Sequence, residues 1–150
     1  MAKPNTEKFH QMVLEVETDT PGTYAKICGI NGRTVNRSLN VQETEVPGDC
    51  DDESVPSEVQ IDPQALTVNV SGTAVWAAQS HGMMMDWIYL KQRKNIRVGH
   101  LNAEVGDTEY ESGPAYLVTM NDSAQKTAGA VTREIEIRFD GTPTRTDKAA

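Results

Sequence analysis

Apolar side chains return at every second position along most of this sequence, and at the spacing of a helix only once. Met12, Leu14 and Val16 alternate with polar neighbours, Tyr24 to Ile30 is short and β-compatible, and Val35, Leu39 and Val41 carry the alternation on through Arg37. Leu66, Val68 and Val70 then face one way while Thr67, Asn69 and Ser71 face the other. A period of two marks a strand with one buried face. Pro21-Gly22 and Asn31-Gly32 separate the first three runs, and Asn-Gly suits the two positive-φ positions of a type I′ hairpin turn. Strands are therefore predicted over 9–17, 23–30 and 34–46, with a fourth ending at Gly72.

Between Thr73 and Leu90 the period changes. Trp76, Met83, Met84, Trp87 and Ile88 fall three, four or seven residues apart, as on one face of a helix. Ser71 or Thr73 is the candidate cap, Gly82 is the weak point at about 1 kcal/mol relative to Ala, and both tryptophans are expected in the core. Met83 to Met85 reads as core filling. Further strands are predicted over 95–101, 113–121 and 131–140, with Gly106, Asp107, Gly113 and Pro114 bracketing a turn. In the last strand Val131, Ile135, Ile137 and Phe139 are set against Arg133, Glu134, Glu136 and Arg138. The closing GTPTRTDKAA is polar and interrupted by proline, so residues 141–150 read as a flexible tail.

The 150 residues suit a single domain over 1–150, since a chain of this size buries roughly 68–70% of its unfolded surface without needing a metal or a disulfide scaffold. The longest apolar run, Ala74 to Ala78, is far short of a membrane span, and the polar MAKPNTEK start has no apolar segment like that of a secretory signal. A cytosolic origin is expected. The formal charge of −8 argues against a protein that grips phosphate backbones. Cys28 and Cys50 lie too far apart for a CxxC pair and read as free thiols; a disulfide between them would close a loop of about 22 residues and add roughly 3 kcal/mol.

Catalytic constellations are missing from the sequence. His10, His81 and His100 are scattered, with no HExxH, no GxSxG and no phosphate-cradling glycine loop, so no enzyme and no cofactor are expected. Asp49, Asp51 and Glu53 have the spacing of a calcium loop but lack its glycine and flanking helices, so no metal is expected either. Charge is unevenly distributed instead. Glu43, Glu45, Asp49, Asp51, Asp52, Glu53 and Glu58 form an acidic stretch with no Lys or Arg, broken by Pro47, Gly48, Pro56 and Pro63. It reads as a long exposed loop over 43–64, a length that is usually functional or disordered. Lys91, Arg93, Lys94 and Arg97 form a basic segment after the helix. Opposite charges at two patches let copies of a chain stack head to tail.

Three phrases carry a family resemblance: KICGINGRTVNRSLNVQETEVPGDCDDE, LTVNVSGTAVWAAQ and GAVTREIEIRFDGTPT. In that order they resemble the strand–turn–strand–loop opening, the strand leading into a single helix, and the final strand of the major tail tube proteins of long-tailed phages, prophages and gene transfer agents. The resemblance covers roughly residues 9–143. It implies a mainly β, sandwich- or barrel-type fold with one flanking helix, assembled as hexameric rings stacked into a hollow tube for DNA delivery. It further implies ring-to-ring contacts by the acidic loop and by terminal arms at 1–8 and 141–150. The implied partners are further copies of the chain, a tape-measure protein, a tail terminator, tail-tip proteins, and genomic DNA that passes without tight binding. The implied location is the virion tail, assembled in the host bacterial cytoplasm. Two alternatives stand beside it: the tube of a contractile injection or secretion machine, and a monomeric β-sandwich module that binds a ligand through the acidic loop.

Overall fold

A computed structural model describes residues 3–127 and 129–150; Met1 and Ala2 of the expected N-terminal arm lie outside the described residues. The strands are Met12–Glu17 (β1), Tyr24–Lys26 (β2), Ile30–Val46 (β3), Glu58–Val75 (β4), Lys94–His100 (β5), Thr108–Ser123 (β6), Thr132–Phe139 (β7) and Thr144–Asp147 (β8). The one α-helix among the described residues, α1, spans Ala78–Tyr89, and a 3₁₀ turn at Phe9–Gln11 precedes β1. The protein is mainly β, as the alternation predicts. Two compact units result, a body formed by residues 1–36 and 68–150 and an arm formed by residues 37–67.

The sheet is antiparallel in the order β2-β1-β5-β6-β7-β4-β3, with β8 also paired to β6. In the body, Leu14 and Val16 of β1, Ile96 and Val98 of β5, Leu117 of β6, Ile135 and Ile137 of β7 and Val68 and Val70 of β4 all join one buried cluster with Met84 and Trp87 of α1. Strands far apart in the order thus face one another across the core, so the sheet of the body curls around it. Arg33 of β3 reinforces this by donating to the carbonyls of Phe9 and Met12.

Asn31-Gly32 is not a turn but lies inside β3; the positive φ of +96° falls at Gly29, where the chain reverses. Gly32 serves close approach instead, since a Cβ there would meet Thr73 Oγ1 at 2.4 Å. The helix starts later than Thr73 because the ladder holds those residues: Thr73, Ala74 and Val75 pair with Glu134, Arg133 and Thr132 of β7. Neither Ser71 nor Thr73 caps α1; Ala77 stands at the N-cap with no side-chain bond. Trp87 is fully buried, but Trp76 precedes the helix and stays 40% exposed. Gly113 and Pro114 lie within β6 rather than at a turn. Residues 144–147 form β8 on β6 where a flexible tail was expected, and Pro143 is buried.

The helix ends in a Schellman arrangement. Gln92 N donates to Trp87 O at 3.1 Å, and Lys91 takes the left-handed position with φ 54°. That slot is usually filled by glycine, because a side chain there crowds the following carbonyl.

The arm comprises the outer parts of β3 and β4 and the connection 47–57, and none of its residues is buried. The strands are longer than predicted, so the expected 43–64 loop contracts to this connection. Pro63 sits inside β4 ahead of the β7 ladder, which runs from Asn69 to Val75. A proline is tolerated in a strand whose N–H side has no partner to lose.

Candidate assembly surfaces

The acidic stretch divides between ordered elements. Glu43 and Glu45 lie on β3, Asp49, Asp51, Asp52 and Glu53 lie in the connection, and Glu58 opens β4. The connection is folded on itself: Asp49 Oδ1 accepts from Asp51 N at 2.9 Å, and Asp52 Oδ1 accepts from Ser54 Oγ at 2.6 Å and Ser54 N at 3.0 Å. Those bonds favour the carboxylate, the Ser54 hydroxyl most, and hold the Asp52 pKa below its ordinary value. With Asp62, eight carboxylates therefore occupy one arm; among the described residues no three His, Cys, Asp or Glu side chains come together as a metal would require.

The basic segment disperses. Arg97 lies between the rings of Tyr24 and Tyr110, 4.6 and 4.4 Å from their centroids, and its Nε donates to Glu15 at 3.0 Å. Burial pushes both tyrosine hydroxyls up. Arg93 pairs with Asp140 at 3.0 Å, and Lys91 serves the helix end. Two of the four cations are thus neutralised within the body. Register explains the first pair, because Glu15 of β1 and Arg97 of β5 stand directly opposite each other; nothing local in the sequence marks a partner so far along the chain.

Both chain ends fasten onto the turn after β5. Glu7 Oε1 contacts His100 Nδ1 at 2.7 Å, and Asn102 Nδ2 donates to Asn5 Oδ1 and Thr6 O at 3.1 and 3.0 Å. From the other end Lys148 Nζ donates to Leu101 O at 2.6 Å, and Lys148 N to Asp107 O at 2.8 Å. Cys28, beside the β2–β3 turn, and Cys50, in the arm connection, are both exposed free thiols.

A second surface escaped sequence reading. On the outward side of the body, strand register sets Glu136 between Ser71 and Thr119, and Glu134 between Thr73 and Asn121. The adjacent row holds Asn69, Arg138 and Tyr116, with Arg138 Nε donating to Asn69 at 3.3 Å. A trough of about 600 Å³ runs over Ser71, Thr73, Thr119, Asn121, Glu134 and Glu136 and reaches Arg33. The alternation on β7 signals this face once strand order is known, but order is not visible in one strand.

Beneath the same strands Arg133 points inward and is 2% exposed, although its charge predicts the polar side. Its parity is that of Ile135 and Ile137. Arg133 Nε and Nη2 hold the two oxygens of Asp122 at 2.6 and 3.0 Å, while Nη2 also reaches His81 Nδ1 at 3.0 Å. The guanidinium beside Asp122 keeps that carboxyl below the usual carboxylate range. The fork satisfies a buried charge that would otherwise destabilise the body.

This architecture has relatives. The chain is similar to a subunit in the tail of an empty gene transfer agent particle refined with C6 symmetry, at TM-score 0.73 and 11% identity over 94% of this chain and 99% of that one. It is also similar to the SPP1 tail tube, at TM-score 0.64 and 12% identity over 97% of this chain and 81% of that one. A chain in the tube-terminating cap of the anti-feeding prophage follows at TM-score 0.60 and 14% identity, covering 99% and 95%. No curated protein matches the sequence. Such identities establish the fold, and the sequence itself supplies the family. Residues 6–145 match the phage tail tube proteins, so the chain belongs to that family and is a structural subunit of a tail tube.

Proposed function

We propose that copies of this chain close into hexameric rings which stack into a hollow conduit, with the polar face of β4, β7 and β6 turned to the lumen. The observation that carries this reading is the pair of central glutamates, Glu134 and Glu136, flanked across the ladder by neutral Ser71, Thr73, Thr119 and Asn121. Such a surface is wettable, and its two carboxylates balance Arg33 and Arg138 on the same face, so it offers genomic DNA no net positive charge to hold it. Sheets that continue around a ring also cover edges that a lone subunit leaves open.

The arm is the stacking element in this reading. Its single-sign connection, with Asp49, Asp51, Asp52 and Glu53, meets cations of the next ring; Lys91 and Lys94 remain candidates, whereas Arg93 and Arg97 are engaged within their own subunit. Residues 3–8 and 141–150 contribute as terminal arms. Tape-measure, terminator and tail-tip proteins complete the tail, which is assembled in the host cytoplasm. Cys28 and Cys50 flank the 17-residue strand β3 at its two ends, which puts a disulfide between them within one subunit out of reach; only a bond between subunits is left, and alkylation of both thiols in intact particles dismisses that one.

Negative-stain electron microscopy of concentrated protein, beside size-exclusion chromatography, tests the conduit. Rings or hollow tubes are expected, and a monodisperse monomer at every concentration favours the ligand-binding module instead. Deleting Asp49 to Val55 is expected to leave a folded subunit that does not elongate; tubes of normal length would remove the connection from stacking. For the lumen, tubes of a Glu134→Lys, Glu136→Lys variant are expected to retain DNA that unmodified tubes release. A contractile machine remains the second reading, favoured by the likeness to the anti-feeding prophage chain, and a sheath protein co-purifying with the tubes would select it.

A further inference from the structure

We propose that Trp76 anchors a contact between two copies of this chain, packing together with Val131 against a neighbouring subunit. The inference rests on the tube reading and adds to it a named contact on the body. Trp76 follows β4, and its N–H donates to Val131 O at 2.9 Å, extending the ladder that pairs Val75 with Thr132. Trp76 and Val131 therefore stand side by side across two strands, and they remain 40% and 37% exposed.

The indole is fixed from behind. Its Nε1 donates to His81 Nδ1 at 3.2 Å, and the two rings lie 5.0 Å apart. Arg133, itself locked to Asp122, donates to the same His81 nitrogen. One ring nitrogen accepting from two donors places the His81 proton on Nε2 and leaves the tryptophan little freedom. A large aromatic already held in one orientation loses little entropy when a partner covers it, which is the property that makes tryptophan an interface anchor. Trp87 has no such role, because it is wholly inside the core.

Charge identifies the occupant as another copy. The chain carries a formal −8, so identical subunits repel over most of their surface. From Pro63 to Met85, however, there is no Asp, Glu, Lys or Arg. Around Trp76 two copies can approach without juxtaposing like charges. A second copy also brings apolar surface of its own that nothing within the free subunit buries: Leu39, Val41, Val59 and Ile61 are all exposed.

Acrylamide quenching of tryptophan fluorescence tests this, because Trp76 is the quenchable indole and Trp87 the buried reference. In the free subunit the unmodified chain is expected to be quenched well above Trp76→Phe. In assembled tubes its quenching should fall to the level of that variant. Trp76→Ala should raise the concentration needed for assembly about 30-fold, the loss of a strong interface anchor, with Trp76→Phe restoring most of it. Circular dichroism of the free variants checks that they fold; should Trp76→Ala not fold, the quenching comparison on the unmodified chain still decides. Tubes in which Trp76 is as quenchable as in the free subunit overturn this contact alone. A chain that forms no rings or tubes overturns the tube reading, and this contact with it.

Discussion

β3 and β4 pass through both units, and the same two strands meet opposite conditions along their length. From Val68 onward β4 has β7 along one edge and lays Val68, Val70 and Ala74 into the core. Before it, Val59 and Ile61 stand in solvent, and no residue of the arm is buried. A two-stranded ribbon alone is marginally stable in water. The body therefore supplies the stability of the free subunit, while the arm carries surface that only an assembly can cover.

The sharpest way to break that contrast is to compare equivalent truncations. Trp87→Ala should cost the free subunit about 3–5 kcal/mol in urea unfolding, since it empties the centre of the core. Ranked next, Arg133→Ala should cost about 1–3 kcal/mol by removing the fork that satisfies Asp122. The same pair gives a pH signature. Because the folded-state pKa of Asp122 is lowered, its contribution is present above the ordinary value of 3.8 and is lost as pH falls through the lowered one. Unfolding measured across that acid range should be flatter for Asp122→Asn than for the unmodified chain. Lys91→Gly should instead stabilise the body by about 0.5–1 kcal/mol, a gain read as a higher Tm, because glycine accepts the left-handed C′ position without crowding. Smallest of all, Ile61→Ala in the arm should shift free-subunit stability by no more than about 0.5 kcal/mol. A cost there as large as that of Trp87→Ala would mean that the arm is as tightly packed as the body.

Much of the body was legible because alternation is local. The runs through Leu14, Val68 and Ile137 mark their strands without knowledge of any partner, and Met84 and Trp87 mark the buried side of the helix. What sequence could not supply was pairing. Thr73 to Val75 look helical until β7 lies beside them, and Thr144 to Asp147 look like tail until β6 offers an edge. Arg97 looks like free positive charge until Glu15 comes into register. Arg133 is different: its parity with Ile135 already placed it inward, and only its charge argued otherwise. Of the candidate surfaces, the acidic arm could be seen as a composition, whereas the Glu134 and Glu136 face and the fixed Trp76 depend on strand order and on cross-strand neighbours.

One edge of β6 carries β5 along residues 110–115, while the other carries β8 over 108–112 and then β7 over 115–123. Two shifts are already accommodated in this strand, one between Leu117 and Thr119 against β7 and one between Thr108 and Tyr110 against β8. Inserting or deleting one further residue would reverse inside and outside against three partners at once. Gene length can therefore drift at the arm connection, whose ends belong to one hairpin, but not along β6, which acts as the ruler against which the other strands are cut.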